Sequence, residues 1–222
     1  HELLKYTVPL ATEQFKKVLV MPNTIPPILR HQDALSYYNR IMKHVPQECK
    51  GTFKPLMTLY LTENTEISEL IKSNESGLVV ACKLYPKGAT TNSNNGVTDI
   101  KNIFPQLKKM EEIGLILCIH GEVIDKTTDI FEREALFIKH QLPLIYNNFP
   151  NLRIILEHIT TKEGVNIVLS RNNMAATITP QHLMFNRNQL LDGGIRPHYY
   201  CLPILKTESD RLALVEAATS GN

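Results

Sequence analysis

Three side chains that could bind or build a metal centre, Lys83, His120 and His158, sit at the ends of three apolar runs. Lys83 lies in Leu78-Val79-Val80-Ala81-Cys82-Lys83-Leu84-Tyr85, which otherwise reads as a buried strand. A lysine is almost never fully buried without a partner, because an unpaired ammonium in apolar surroundings is very costly. His120 ends Leu115-Ile116-Leu117-Cys118-Ile119, and His158 follows Ile154-Ile155-Leu156-Glu157. The steps from 83 to 120 and from 120 to 158 each match one strand-plus-helix unit. Ligand-type residues at the carboxyl ends of successive buried strands are the pattern of a metal site at the mouth of a β/α barrel. Each residue alone also has a plainer reading: a lysine whose amine reaches solvent along the strand end, or a histidine held by structural hydrogen bonds.

The elements that must position these residues alternate in type. Apolar runs at Val18–Met21, Pro55–Leu61, Gly77–Leu84, Leu115–Ile119, Leu152–Leu156 and Met174–Ile178 read as six strands. Helical spacing is found over His31–Val45, from Ile67, over Asp99–Ile113, Asp129–Phe149, Thr161–Arg171 and Glu208–Ala218. Asp99 is placed to cap its helix, Pro143 must kink or divide its own, and Thr160 with Glu163 has capping-box spacing. Continuous apolar strands alternating with helices indicate an α/β fold with a parallel sheet. The polar strand ends favour the eight-fold barrel over an open doubly wound sheet, and no glycine-rich phosphate loop follows any strand. The segment Pro86–Gly96 reads as a loop too polar to pack, and 179–207 as a long irregular stretch.

Composition excludes several classes. The chain of 222 residues has a net charge of +2 and scattered basic residues, so nucleic-acid binding is not expected. No run is apolar enough to span a bilayer. Cys49, Cys82, Cys118 and Cys201 are far apart and read as reduced thiols of a cytoplasmic protein. Cys82 alternates away from Lys83 and should pack against helices.

The motifs Met21-Pro22-Asn23, Lys83-Leu84-Tyr85-Pro86 with Ala89-Thr90-Thr91-Asn92-Ser93, His120-Gly121-Glu122 and Glu157-His158-Ile159-Thr160-Thr161-Lys162 occur in that order. They are followed by Thr177-Ile178-Thr179-Pro180-Gln181-His182-Leu183-Met184-Phe185-Asn186-Arg187-Asn188 and by Arg196–Lys206. With these motifs the chain strongly resembles the single-function dihydroorotases of the amidohydrolase superfamily, over essentially its whole length. The resemblance implies a (β/α)₈ TIM-type barrel and two zinc ions per subunit. It implies a lysine carboxylated by carbon dioxide and bridging the metals at Lys83, and metal-binding histidines at His120 and His158. Substrate contacts are implied at Asn23, at Thr90 and Thr91 of a mobile loop, and at the backbone of Leu202. The reaction implied is the reversible cyclisation of carbamoyl aspartate to dihydroorotate in pyrimidine synthesis, in a homodimer. A related cyclic-amide hydrolase such as a hydantoinase, and a catalytically silent barrel binding a partner protein, are the other readings.

The family pattern also has a His-x-His pair with an arginine on strand one and an aspartate on strand eight. Neither is found here, so the catalytic proton carrier is unknown, and His1 is not read as one of the pair. The six strands are therefore expected to match the family's strands two to seven, with residues 1–222 a single barrel domain lacking strands one and eight. Such a remnant would bare two strand edges, which favours a portion of a longer protein over a self-sufficient truncation. Glu122 and Glu157 are equally suited to holding the metal-site histidines or to helix starts, and structural hydrogen bonds are expected for His182 and His198.

Overall fold

The computed structural model describes residues 2–221; His1 and Asn222 lie outside them. Six strands form one sheet: β1 (Lys17–Val20), β2 (Lys54–Leu61), β3 (Val79–Leu84), β4 (Ile116–Ile119), β5 (Ile154–Leu156) and β6 (Met174–Ala176). Every neighbouring pair is parallel and the spatial order is the chain order. Among the described residues, β1 and β6 are the free edges of the wall.

The strand register sorts the side chains onto two faces. Tyr60 pairs with Lys83, Lys83 with Cys118, Cys118 with Ile155, and Ile155 with Ala175. Because side chains alternate along a strand, this row shares one face with Lys83. The neighbouring row, Leu59 and Leu61, Cys82 and Leu84, Leu117 and Ile119, Ile154 and Leu156, faces the helices and forms the main apolar core. Cys82 therefore packs outward, as its alternation predicts. Helices α2 (His31–Met42), α3 (Ile67–Glu75), α4 (Phe104–Ile113), α5 (Arg133–His140), α6 (Leu142–Tyr146) and α7 (Lys162–Leu169) cover that face with residues such as Ala34, Ile41, Leu70, Leu107, Met110, Phe137, Leu142 and Val165.

Several element ends differ from the sequence reading. An additional helix, α1 (Leu4–Gln14), precedes β1 and contains Pro9. Proline removes a backbone donor inside a helix, and α1 buries only Val8 while Tyr6 and Leu10 are exposed, so no apolar stripe announced it. Asp99 does cap, accepting from the Lys101 amide at 2.9 Å, but at the head of a 3₁₀ turn (Ile100–Ile103) that leads into α4. Pro143 divides its segment into α5 and α6. Thr161, not Thr160, caps α7: its hydroxyl accepts from the Gly164 amide at 3.1 Å. The Thr160 hydroxyl is instead drawn to a buried carboxylate, Glu134, at 2.7 Å. The stretch read as irregular holds two short helices, α8 (Pro180–Met184) and α9 (Asn188–Leu191), before α10 (Glu208–Thr219).

The segment after β3 is packed as well as polar. Ala89 is 2% exposed and Ser93 is fully buried. Its two stems are joined by hydrogen bonds from the Lys87 amide to the Val97 carbonyl (3.0 Å) and from the Val97 amide to the Tyr85 carbonyl (2.8 Å). Gly96 permits this closure, because a Cβ there would lie 2.5 Å from the Tyr85 carbonyl oxygen. Buried backbone groups find partners inside the loop, which a count of polar side chains does not reveal.

Candidate metal and substrate site

Strand ends bring the predicted metal-site residues together. Lys83 is the penultimate residue of β3, His120 directly follows β4, and His158 stands two residues beyond β5. The rings of His120 and His158 lie 4.8 Å apart between centroids, inclined at 66°. Lys83 is 1% exposed. Its ammonium forms no ion pair among the described residues and lies 5.3 Å from the centroid of the Tyr85 ring. The Tyr85 ring is in turn 6.3 Å from that of His120 and 5.0 Å from that of Tyr60.

Electrostatics follow from burial. Desolvation brings the Lys83 ammonium down to about 8, with Glu157 and Cys118 pulling weakly the other way. A substantial share of Lys83 is therefore neutral amine at mildly alkaline pH, the form that is nucleophilic. His158 is pushed down to about 2, first by burial and then by the neighbouring Lys83 and His120, so it stands as neutral imidazole. Burial likewise raises the Tyr60 phenol and the Cys118 thiol, each to about 12. Tyr60 and Cys118, which flank Lys83 on the neighbouring strands, thus hold their protons and supply it no counter-charge.

Each histidine is held from behind. His120 Nε2 is 2.6 Å from Glu122 Oε2, and both side chains are buried. This leaves His120 Nδ1 as the nitrogen free for a ligand. His158 has a left-handed backbone (φ 44°), unusual for a non-glycine residue. Its amide donates to the Thr177 hydroxyl at 2.7 Å, and that hydroxyl donates to Glu157 Oε2 at 2.7 Å. Nδ1 of His158 is buried without a hydrogen-bond partner among the described residues. Buried imidazole nitrogens normally have partners. Glu122 thus takes the supporting role of its two sequence readings, whereas Glu157 does so through Thr177.

Among the described residues no three His, Cys, Asp or Glu side chains converge as a metal-binding group. The donors that do converge are two imidazoles and a buried amine. An ammonium cannot ligate a cation, so the set fits a metal only with Lys83 deprotonated or converted to an oxygen donor. It would then offer three protein ligands to one cation, as in catalytic zinc sites with an open position.

Two of the expected substrate-contact segments, Asn23 and the Thr90–Thr91 loop, follow the carboxyl ends of β1 and β3. Asn23, three residues past β1, donates from Nδ2 to the Thr91 carbonyl at 3.2 Å, and Asn92 Nδ2 donates to the Asn23 carbonyl at 2.9 Å. Asn23 and the Thr90–Thr91 loop therefore form one unit. Thr90 is half-buried, tied through its backbone to the Ser93 hydroxyl, and Thr91 is exposed. Leu202 is half-buried and precedes a cis peptide to Pro203. Among the described residues no hydrogen bond joins it to Asn23, Thr90 or Thr91. His182 supports its neighbour, with Nε2 3.0 Å from the Pro203 carbonyl and Nδ1 2.5 Å from the Thr179 hydroxyl. That is the structural role expected for His182, while His198 lies exposed in a 3₁₀ turn (Pro197–Tyr199). Tyr60, Thr177 and Glu134 are supporting residues that sequence reasoning missed. Only the strand register places Tyr60 beside Lys83, and only tertiary structure brings Thr177 and Glu134 to the His158 turn.

No protein-family model matches the chain. A dihydroorotase of Coxiella burnetii is 54% identical over 220 residues, covering 99% of this chain and 63% of the relative. A crystal structure of dihydroorotase from Campylobacter jejuni superposes with a TM-score of 0.90 at 36% identity, covering all of this chain and 63% of that one. The dihydroorotase of Saccharomyces cerevisiae in complex with 5-fluoroorotic acid gives 0.87 at 28% identity, covering all of this chain and 64% of that one. An L-hydantoinase of Arthrobacter aurescens (TM-score 0.78, 16% identity, 99% and 51% covered) shares the fold alone. The six strands are thus a portion of a TIM-type barrel, and the chain spans about 63% of the length of the curated relatives it matches. In sequence and in fold, the chain belongs to the dihydroorotase family.

Proposed function

We propose that the protein of which this chain spans a part is a dihydroorotase, interconverting carbamoyl aspartate and dihydroorotate in pyrimidine synthesis. The observation that carries this reading is a buried, unpaired lysine at the strand end beside two neighbouring imidazoles, on a chain with this family's sequence. The reaction opens the ring amide: water's hydroxyl joins the acyl carbon, the carbon–nitrogen bond breaks, and nitrogen gains a proton. The residue that carries this proton is not assigned among the 222 residues.

Lys83 as neutral amine takes up carbon dioxide, forming a nitrogen–carbon bond and releasing one proton, and so becomes an anionic two-oxygen donor. His120, His158 and this carbamate are the residues that would hold zinc, two ions per subunit being the number we propose. Zinc in that position supplies Lewis-acid polarisation of the ring carbonyl and lowers the pKa of bound water. The chain's own residues orient the substrate. Asn23 and the hydroxyls of Thr90 and Thr91 suit the substrate carboxylate, and the backbone of Leu202 suits the ring amide. The loop that Asn23 pins closes over the site and excludes water. That the yeast relative is complexed with 5-fluoroorotic acid supports a pyrimidine carboxylate as ligand class. A cytoplasmic homodimer is the setting we infer; no described helix is long and apolar enough to cross a membrane.

The test is turnover of dihydroorotate by the full-length protein and by its Lys83→Ala variant. Turnover in the wild type, lost in the variant, is expected. Hydrolysis of hydantoins with none of dihydroorotate would replace this reading by a hydantoinase. A zinc-free, inactive full-length protein would make it a silent binding barrel.

A further inference from the structure

Glu134, on α5, is the most heavily bonded carboxylate in the described chain, and the scheme above leaves it unused. It is 3% exposed and accepts five hydrogen bonds from two consecutive residues. The Thr160 amide lies 2.9 and 3.0 Å from its two oxygens and the Thr160 hydroxyl 2.7 Å from Oε2. The Thr161 amide and hydroxyl donate to Oε1 at 2.9 and 2.6 Å. All four donors, the Thr160 amide reaching both oxygens, are N–H or O–H groups, so the geometry suits the ionised carboxylate, which has acceptor sites for all of them.

The surroundings are built for this group. A Cβ on Gly164 would lie 3.1 Å from Glu134 Oε1, so glycine there leaves α7 room to pack onto the carboxylate. The negative charge stands at the amino end of α7, where the helix dipole favours it. Burial raises the Glu134 carboxyl, opposed by the ammonium of Lys206, itself 5% exposed, and by the threonine bonds. Lys206 Nζ donates to the Ile204 carbonyl at 2.9 Å. The charge of Glu134 thus has a distant buried counter-charge, but its direct partners are all in the turn.

That turn begins at His158. Its left-handed backbone is held on one side by Thr177 and leads within two residues into Thr160 and Thr161. We propose that Glu134 is the positioning residue for His158, fixing the direction of its imidazole by clamping the 158–161 turn to α5. This rests on the reading of His158 as a metal ligand. Residues that orient metal-binding histidines usually bond the ring; here the hold is on the backbone that carries it. Removing such support weakens metal binding by about 10–100-fold.

The test uses the full-length protein, stripped of metal and titrated with zinc against a competing chelator. Glu134→Gln keeps shape but replaces one acceptor oxygen by a donor facing donors. Ile41→Ala, in the core on α2, which packs on β2 and α3, is the control for lost stability alone. Hydrogen exchange of the peptide covering 157–162 is the second readout. The clamp predicts zinc binding weakened about tenfold or more in Glu134→Gln, faster exchange across 157–162, and unchanged zinc affinity in Ile41→Ala. Zinc affinity within twofold of wild type in Glu134→Gln, or equal losses in both variants, would overturn it. If Glu134→Gln does not fold, Thr160→Val, which deletes one of the four donors, is judged by the same two readouts. If the wild type itself binds no zinc, the dihydroorotase reading falls, and exchange across 157–162 alone decides whether Glu134 holds the turn.

Discussion

His120 and His158 leave different strands 38 positions apart and end with their rings 4.8 Å from centroid to centroid. Parallel pairing of β4 and β5, with Ile119 opposite Leu156, is what turns that separation into contact. One ring is held by a carboxylate on its far nitrogen, the other by a backbone bent into the left-handed region. The two rings lie side by side, yet His158 Nδ1 is buried with no hydrogen-bond partner among the described residues.

His120→Ala and His158→Ala in the full-length protein should each abolish zinc retention at this position and lower kcat/KM by at least about a thousandfold, equivalent to about 4 kcal/mol. Metal analysis beside steady-state assays checks this. Full zinc content with normal turnover in either variant would remove that histidine from the site.

Asn23→Ala should raise KM for dihydroorotate about tenfold, near 1.4 kcal/mol. The side chain is proposed to bind substrate, and it also bonds the Thr91 carbonyl that holds the loop. Proteolysis within 88–95 should quicken in the same variant. An unchanged KM would restrict Asn23 to pinning the loop.

Gly96→Ala should destabilise the fold by about 1–3 kcal/mol through overpacking, since the added methyl would meet the Tyr85 carbonyl oxygen at 2.5 Å. Chemical denaturation measures the loss. A change below about 0.5 kcal/mol would mean that the loop shifts freely.

Glu63 gives a pH signature away from the metal site. Hydrogen bonds from the Thr98 hydroxyl and amide, and from Asn102, hold its carboxyl down at about 2. A depressed carboxylate stabilises the fold above the unfolded value near 4.5, and this contribution is lost as pH falls toward about 2. Glu63→Gln should therefore be less stable than wild type at pH 7, by about 1 kcal/mol or less at so exposed a group, and the difference should close on acidification. A difference constant between pH 7 and pH 3 would contradict the assignment.

Much of this arrangement is legible in the sequence because it rests on local patterning. Six apolar runs gave six parallel strands, and the polar residues that interrupt them, Lys83, His120 and His158, mark the site. What stayed hidden depends on register and on contacts distant in sequence. Tyr60 becomes a neighbour of Lys83 only through pairing of β2 with β3. Thr160 fits a capping pattern but is claimed by Glu134, 26 positions earlier. The loop after β3 hides its order because its bonds all end on backbone groups on at least one side, and α1 because Val8 is its one buried side chain.

The central claim is that Lys83 works as a carbamate anion. The full-length protein equilibrated with ¹³C-labelled bicarbonate near pH 8 should show a carbamate carbon resonance, with zinc retained. The resonance should be absent from Lys83→Ala. A wild-type protein that takes up no label while binding zinc and turning over dihydroorotate, or a resonance that persists in Lys83→Ala, would contradict the account.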